Sequence, residues 1–148
     1  MSAIIPDITV PDSSALTTVG HVIPDGNNLY VYLQGCASTV AGSVVTYNDS
    51  TKATALVVAG AKGLVAIAMS ATNTTSKYGW YMISGTYTTV ASDTVAGAGN
   101  LYIDGTAGRV DDAVVTGDLI LGMRSTGADV SNQVPIIMDN PFVTGVLG

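Results

Sequence analysis

Gly63-Leu64-Val65-Ala66-Ile67-Ala68-Met69 puts Leu64, Ala66 and Ala68 on one face of an extended chain and Val65, Ile67 and Met69 on the other. Seven residues make a short helix but an ordinary strand. Both faces are apolar, so the run reads as a central strand, or as one whose second face meets another subunit. Tyr78-Gly79-Trp80-Tyr81-Met82-Ile83-Ser84 follows the same period: Tyr78, Trp80 and Met82 share one side while Tyr81 and Ile83 take the other. It is the largest block of hydrophobic area in the chain. One set can fill the domain and the other face a partner, so Trp80, Tyr81 and Met82 are candidate subunit-interface residues, with ordinary core and rim positions the equal alternative.

Similar runs recur on either side. Leu29 to Leu33 alternates aliphatic and aromatic residues behind the turn Pro24-Asp25-Gly26-Asn27-Asn28, and Ser43 to Tyr47 with Ala53 to Val58 flanks Asn48-Asp49-Ser50 as a hairpin. Gly60-Ala61-Lys62-Gly63 reads as a further hairpin turn. Tyr87 to Val90, Leu101 to Ile103, Leu119 to Met123 and Val134 to Met138 complete the set of short strands. Their regular spacing predicts an all-β fold, a sandwich or small closed barrel, with helical turns only near Asp12 to Thr17 or Asp111 to Val115.

Composition points the same way. The 148 residues suit one domain, and 19 Val, 18 Thr, 17 Ala and 17 Gly supply nearly half of them. All 11 acids are Asp, and 3 Lys, 2 Arg and 2 Gln are too few solubilising helix formers for a bundle. The net charge of −6 and the scattered cations Lys52, Lys62, Lys77, Arg109 and Arg124 exclude direct nucleic-acid binding. No apolar run is long enough to cross a bilayer as a helix, so no membrane partner is expected. The N-terminus lacks the basic start and apolar stretch of an export signal. The positive mean hydropathy therefore implies surface hidden against other protein.

Residues 1–18 carry Pro6 and Pro11 with no sustained period and read as an extended arm, with a disordered tail the alternative, ahead of a single β domain over 19–148. Ile4, Ile5, Ile8 and Val10 give that arm an apolar character that calls for a receiving surface.

The residues of chemistry are sparse. His21 is the one imidazole, no Gly-x-Ser-x-Gly elbow accompanies it, and His21 with Cys36 falls short of a zinc ligand set. Cys36 reads as a buried thiol. Asp104, Asp111, Asp112 and Asp118 offer hard oxygen donors to calcium if loops gather them; solvated turn aspartates are the plainer reading. Gly97-Ala98-Gly99-Asn100-Leu101-Tyr102 starts like a dinucleotide loop but ends on Tyr102 and runs into a strand. No catalytic residue, cofactor or metal is expected, and the chain is not read as an enzyme.

Four stretches carry a resemblance: Ala41-Gly42-Ser43-Val44-Val45-Thr46-Tyr47, Gly63 to Met69, Tyr78 to Gly85, and Thr106-Ala107-Gly108-Arg109-Val110-Asp111-Asp112-Ala113. Over about residues 40–123 they are similar to the decoration, or cement, proteins of tailed-phage heads. The resemblance implies a small β-barrel or β-tulip domain, a homotrimer, and a place on the capsid exterior of a virion. It also implies attachment to the major capsid protein through the arm, and hence through Ile4, Ile5, Ile8 and Val10. The competing expectation is a phage fibre or baseplate module, or a surface adhesin domain, which would share the Thr/Gly/Val-rich strands.

Overall fold

The computed structural model describes residues 7–145. Ten strands and no helix occur among them: β1 (Val22–Asp25), β2 (Asn28–Gln34), β3 (Val44–Tyr47), β4 (Thr54–Leu56), β5 (Lys62–Ala68), β6 (Tyr78–Ala91), β7 (Gly99–Ile103), β8 (Val110–Asp111), β9 (Leu119–Ser125) and β10 (Gln133–Thr144). The fold is all-β. The strands form one sheet in the order β1-β2-β6-β5-β10-β9-β7-β8, with β3 on the far edge of β5 and β4 beyond it.

At the centre, three strands each divide one edge between the other two. Ile67 and Ala68 of β5 pair with Met82 and Tyr81 of β6, Ser84 to Ala91 of β6 pair with β10 from Asp139 back to Gln133, and Phe142 to Thr144 of β10 pair with Leu64 to Lys62 of β5. All three pairings are antiparallel. Three mutually antiparallel strands cannot lie side by side in one flat sheet, because the third would run parallel to the first. Each strand therefore bends at a common point and leaves along a different arm. The backbone provides for this: Gly85 has φ +124°, Gly63 has φ +125°, Asn140 has φ +44°, and the β9–β10 register shifts between Met138 and Phe142.

The bends explain where the strands run past their predicted ends. Tyr78 to Ser84 and Tyr87 to Val90 join as β6, since Gly85 turns the strand without ending it. The predicted strand Val134 to Met138 continues to Thr144, with Pro141 at the irregularity, where no ladder hydrogen bond is required of it. Gly60 to Gly63 is not a hairpin turn, because β4 and β5 pair with opposite edges of β3 rather than with each other. Neither predicted helical turn forms. Asp12 forms a bridge with Tyr78, and Asp111 pairs with Tyr102 as part of β8.

Alternation sorts the side chains into two cores. Val31, Leu33, Val45, Ala66, Ala68, Tyr81 and Ile83 pack on one face of the β3-β5-β6-β2 half. Tyr32, Val44, Val65, Ile67, Trp80 and Met82 face the other way, onto Leu101, Ile120, Met123, Val134, Ile136 and Met138 of the β7–β10 half. The first half curls around its own core until Thr54 Oγ1 on β4 donates to the Gln34 carbonyl on β2 at 2.7 Å. The backbone ladder does not close there, so the half is a rolled sheet rather than a barrel. Ala66 and Ala68 leave room for the tight curl, and the Tyr81 hydroxyl inside it is hydrogen-bonded to Thr72 Oγ1.

Trp80, Tyr81 and Met82 are 5 %, 0 % and 1 % exposed within the single chain, which corrects their reading as interface residues. From residue 79 to 83 β6 is covered on both faces by its own domain, so all three bury inside it.

A Cβ on Gly85 would lie 1.9 Å from Asn28 Oδ1, the acceptor for the Thr86 amide, at a φ that L residues resist. Gly85→Ala should cost about 2–4 kcal/mol, since strain and a lost hydrogen bond add. Gly97→Ala, where nothing lies within 4 Å, should stay within about 0.5 kcal/mol of the parent. Urea unfolding of both variants reads the contrast, and equal midpoints would contradict the role given to Gly85.

Candidate functional site

The arm touches the body's core at Ile8 and docks on it by hydrogen bonds at Asp12. Asp7 Oδ1 accepts from the Thr9 amide at 3.0 Å and from Thr9 Oγ1 at 2.6 Å, closing a local turn. Those two bonds hold the exposed Asp7 carboxyl below its ordinary pKa. Asp12 then docks on the edge of β6: its amide donates to the Tyr78 carbonyl at 2.7 Å, and the Tyr78 amide donates back at 2.9 Å. Its carboxylate accepts the Tyr32 hydroxyl at 2.6 Å, while the Leu16 amide donates to that same hydroxyl oxygen at 3.1 Å. Burial first, and then the hydrogen bond to Asp12, push the Tyr32 phenol up to about 12.

The predicted capsid-binding residues divide accordingly. Ile4 and Ile5 lie outside the described residues. Ile8 is half-buried against the main core, so it belongs to the body, and Ile8→Asp would strain the domain itself. Val10 remains 51 % exposed and Leu16 reaches 75 %. Between this segment and the sheet lies a cavity of about 530 Å³ lined by Asp7, Val10, Asp12, Leu16, His21 and Trp80 among others. His21 meets Trp80 edge-on at 6.3 Å.

The four aspartates of the 104–118 segment divide: Asp112 is exposed and Asp111 half-buried, as turn aspartates are expected to be, while Asp104 and Asp118 are buried. Asp104 and Asp118 are 7 % and 3 % exposed, and each accepts a backbone N–H: Thr106 to Asp104 Oδ2 at 2.8 Å, and Gly60 to Asp118 Oδ1 at 2.8 Å. Asp112 accepts the Ala96 amide and Asp111 the Ala113 amide. They are loop-capping groups. Among the described residues no group of three or more His, Cys, Asp or Glu is placed to hold a metal ion. Burial raises the Asp111 pKa, and the neighbouring Asp104 carboxylate raises it further. Cys36, expected to be buried, is half-buried just past β2, with Sγ 3.2 Å from Thr39 Oγ1.

A second surface was not legible as a site. On the outer face of β9 and β10, Leu121, Ile137 and Phe142 are 39 %, 41 % and 43 % exposed. Phe142 pairs with Leu121 and Ile137 with Arg124; Leu121, Arg124 and Ile137 line a shallow groove of about 400 Å³. The available signal was the doublet Ile136-Ile137, two aliphatic neighbours that a strand must point to opposite sides.

Compared with family models, curated proteins and solved structures, the chain matches none.

Two substitutions test this geometry. Tyr32→Phe removes the hydroxyl that joins Asp12 to Leu16 and should cost about 1–3 kcal/mol, with faster amide exchange at Leu16; unchanged exchange would mean the hydroxyl does not hold the arm. Asp111→Asn keeps the acceptor for Ala113 and removes the like charge beside Asp104. With a folded pKa above the unfolded one, Asp111 disfavours the fold once pH rises through the folded value, and that cost vanishes below the unfolded pKa. The variant should therefore melt higher than the parent at pH 7, and the gap should close on acidification. A gap independent of pH would contradict the pairing.

Proposed function

We propose that the protein is a non-enzymatic structural component of a phage virion that decorates and stabilises the outer surface of the capsid. Its partners are then the major capsid protein and further copies of itself as a homotrimer. The observation that carries the reading is the strapped arm: the all-β body fastens the segment through Asp12 and Leu16 and leaves Val10 and Leu16 largely exposed. A cement protein needs such an arrangement, an apolar segment held in place beside a stable body, and it needs no catalytic group. The residue style shared with head decoration proteins supports the same conclusion. Ile8 packs into the body, so attachment falls to Ile4, Ile5 and Val10.

Burying those three aliphatic side chains would contribute about 1.5–3 kcal/mol each before the cost of ordering the segment. Each 1.4 kcal/mol that survives is about tenfold in affinity. Co-sedimentation with undecorated capsids of the parent virus tests this with the full chain, a chain lacking residues 1–6, and Val10→Asp. The full chain should bind and each variant should bind at least about tenfold more weakly with an unchanged melt, because Asp12 and Ile8 still fasten the rest of the arm. Equal binding by the shortened chain would move attachment elsewhere, and no binding by the full chain would remove the capsid reading.

A further inference from the structure

The cavity of about 530 Å³ between the arm and the sheet has the size of a small-molecule site, and its lining sorts into three kinds of group. Val10, Leu16 and Ile23 are aliphatic. Asp7 and Asp12 are acceptors with capacity left over. The Tyr32 hydroxyl occupies Oδ2 of Asp12 and Thr9 occupies Oδ1 of Asp7, so each carboxylate keeps a second oxygen that bonds to no described residue. Trp80 supplies a donor.

That donor distinguishes the cavity from a packing gap. Trp80 is 5 % exposed, and its indole N–H donates to no described residue. Among the described residues, the side-chain polar atoms both sealed from solvent and unpaired are Ser70 Oγ and Ser92 Oγ, so the Trp80 N–H keeps an opening. The space that Trp80 borders is this cavity. An unpaired donor on a side chain otherwise enclosed by its own domain is satisfied only by what enters there.

Elimination then gives the chemistry of the occupant. No Lys or Arg lines the cavity and none occurs among residues 1–51, so an anion would meet two carboxylates with nothing to offset them. An ammonium or guanidinium group suits the carboxylates but is donor-only and leaves the indole N–H unpaired. A hydrocarbon leaves all three groups unpaired. A neutral molecule rich in hydroxyls offers donors to the carboxylates, an acceptor to the indole and C–H faces to the aliphatic wall. Thr17 and His21, also on the lining, add side chains able to donate or accept.

We propose that this cavity binds a neutral saccharide, whose hydroxyls donate to Asp7 and Asp12, one of whose oxygens accepts from Trp80 Nε1–H, and whose ring hydrogens lie against Val10, Leu16 and Ile23. Such binding goes beyond the capsid reading and does not rest on it. A copy whose Val10 is pressed against a capsid would have the cavity shut, so the two uses belong to different states of the protein.

The chain has one tryptophan, so a single indole N–H cross-peak in a heteronuclear NMR spectrum reports on the site. The full chain is titrated with glucose, galactose, N-acetylglucosamine and lactose, and separately with acetate and with butylguanidinium. At least one of the four saccharides should move the Trp80 peak saturably, with a dissociation constant of about 10 mM or tighter, and neither ion should. Trp80→Phe, followed by calorimetry, should weaken that saccharide at least about tenfold, since it removes the donor and keeps most of the ring. If Trp80→Phe lowers the melt, Asp7→Asn replaces it: the exposed amide keeps an acceptor for Thr9, loses one toward the cavity, and should weaken binding at least about threefold. No saturable movement with any of the four at about 100 mM overturns the proposal, as does an equal response to either ion or an affinity that the substitution leaves unchanged.

Discussion

Hydrogen-bond parity governs this molecule. β5, β6 and β10 are each antiparallel to the other two, an arrangement that a continuous flat sheet forbids. The backbone satisfies it by bending all three strands around one point, with residues near Gly63, Gly85 and Asn140 in left-handed or otherwise glycine-favoured conformations. Both cores follow from that junction. One arm carries the rolled β4-β3-β5-β6-β2 half, another carries the β10-β9-β7-β8 half, and the faces they turn toward each other enclose Val65, Ile67, Trp80 and Met82. Removing the bends would leave two amphipathic sheets with no fixed relation between them.

The local period was the most readable part of the sequence. Gly63 to Met69 and Tyr78 to Ser84 distribute their side chains between the two cores as alternation requires, and β5 is central as its two apolar faces imply. What the pattern could not convey was the fate of each face. A strand covered on both sides by its own chain has the same sequence as one covered on one side by a neighbour, which is why Trp80, Tyr81 and Met82 read equally as interface or core and lie inside. Strand length was also hidden. Glycine and proline normally end strands, yet Gly85 and Pro141 sit within β6 and β10 because the junction requires a bend at those places.

The arm and the acidic loops illustrate the same difficulty for polar residues. Asp12 in a proline-bounded segment looks like turn chemistry, and its tie to Tyr32, 20 positions away, depends on how β2 and β6 are placed. Asp118 likewise caps Gly60, 58 positions away. Such carboxylates are chosen for a partner that only the assembled fold brings within reach, so their spacing in the chain carries no trace of it.

The junction also bears on how the chain reaches this state. β10 spans residues 133–144, and its partners on one edge, β5 and β6, are complete by residue 91. A chain emerging from its N-terminus therefore presents β5 and β6 paired only at Ile67–Met82 and Ala68–Tyr81, with the rest of that edge unfilled until roughly fifty further residues have been made. Pairings of such wide sequence separation carry a large loop-closure cost before they return any burial, which places this domain among the slow folders. The last strand described is thus the keystone: before it docks, part of one edge of each of two apolar strands stands open to pairing with other chains.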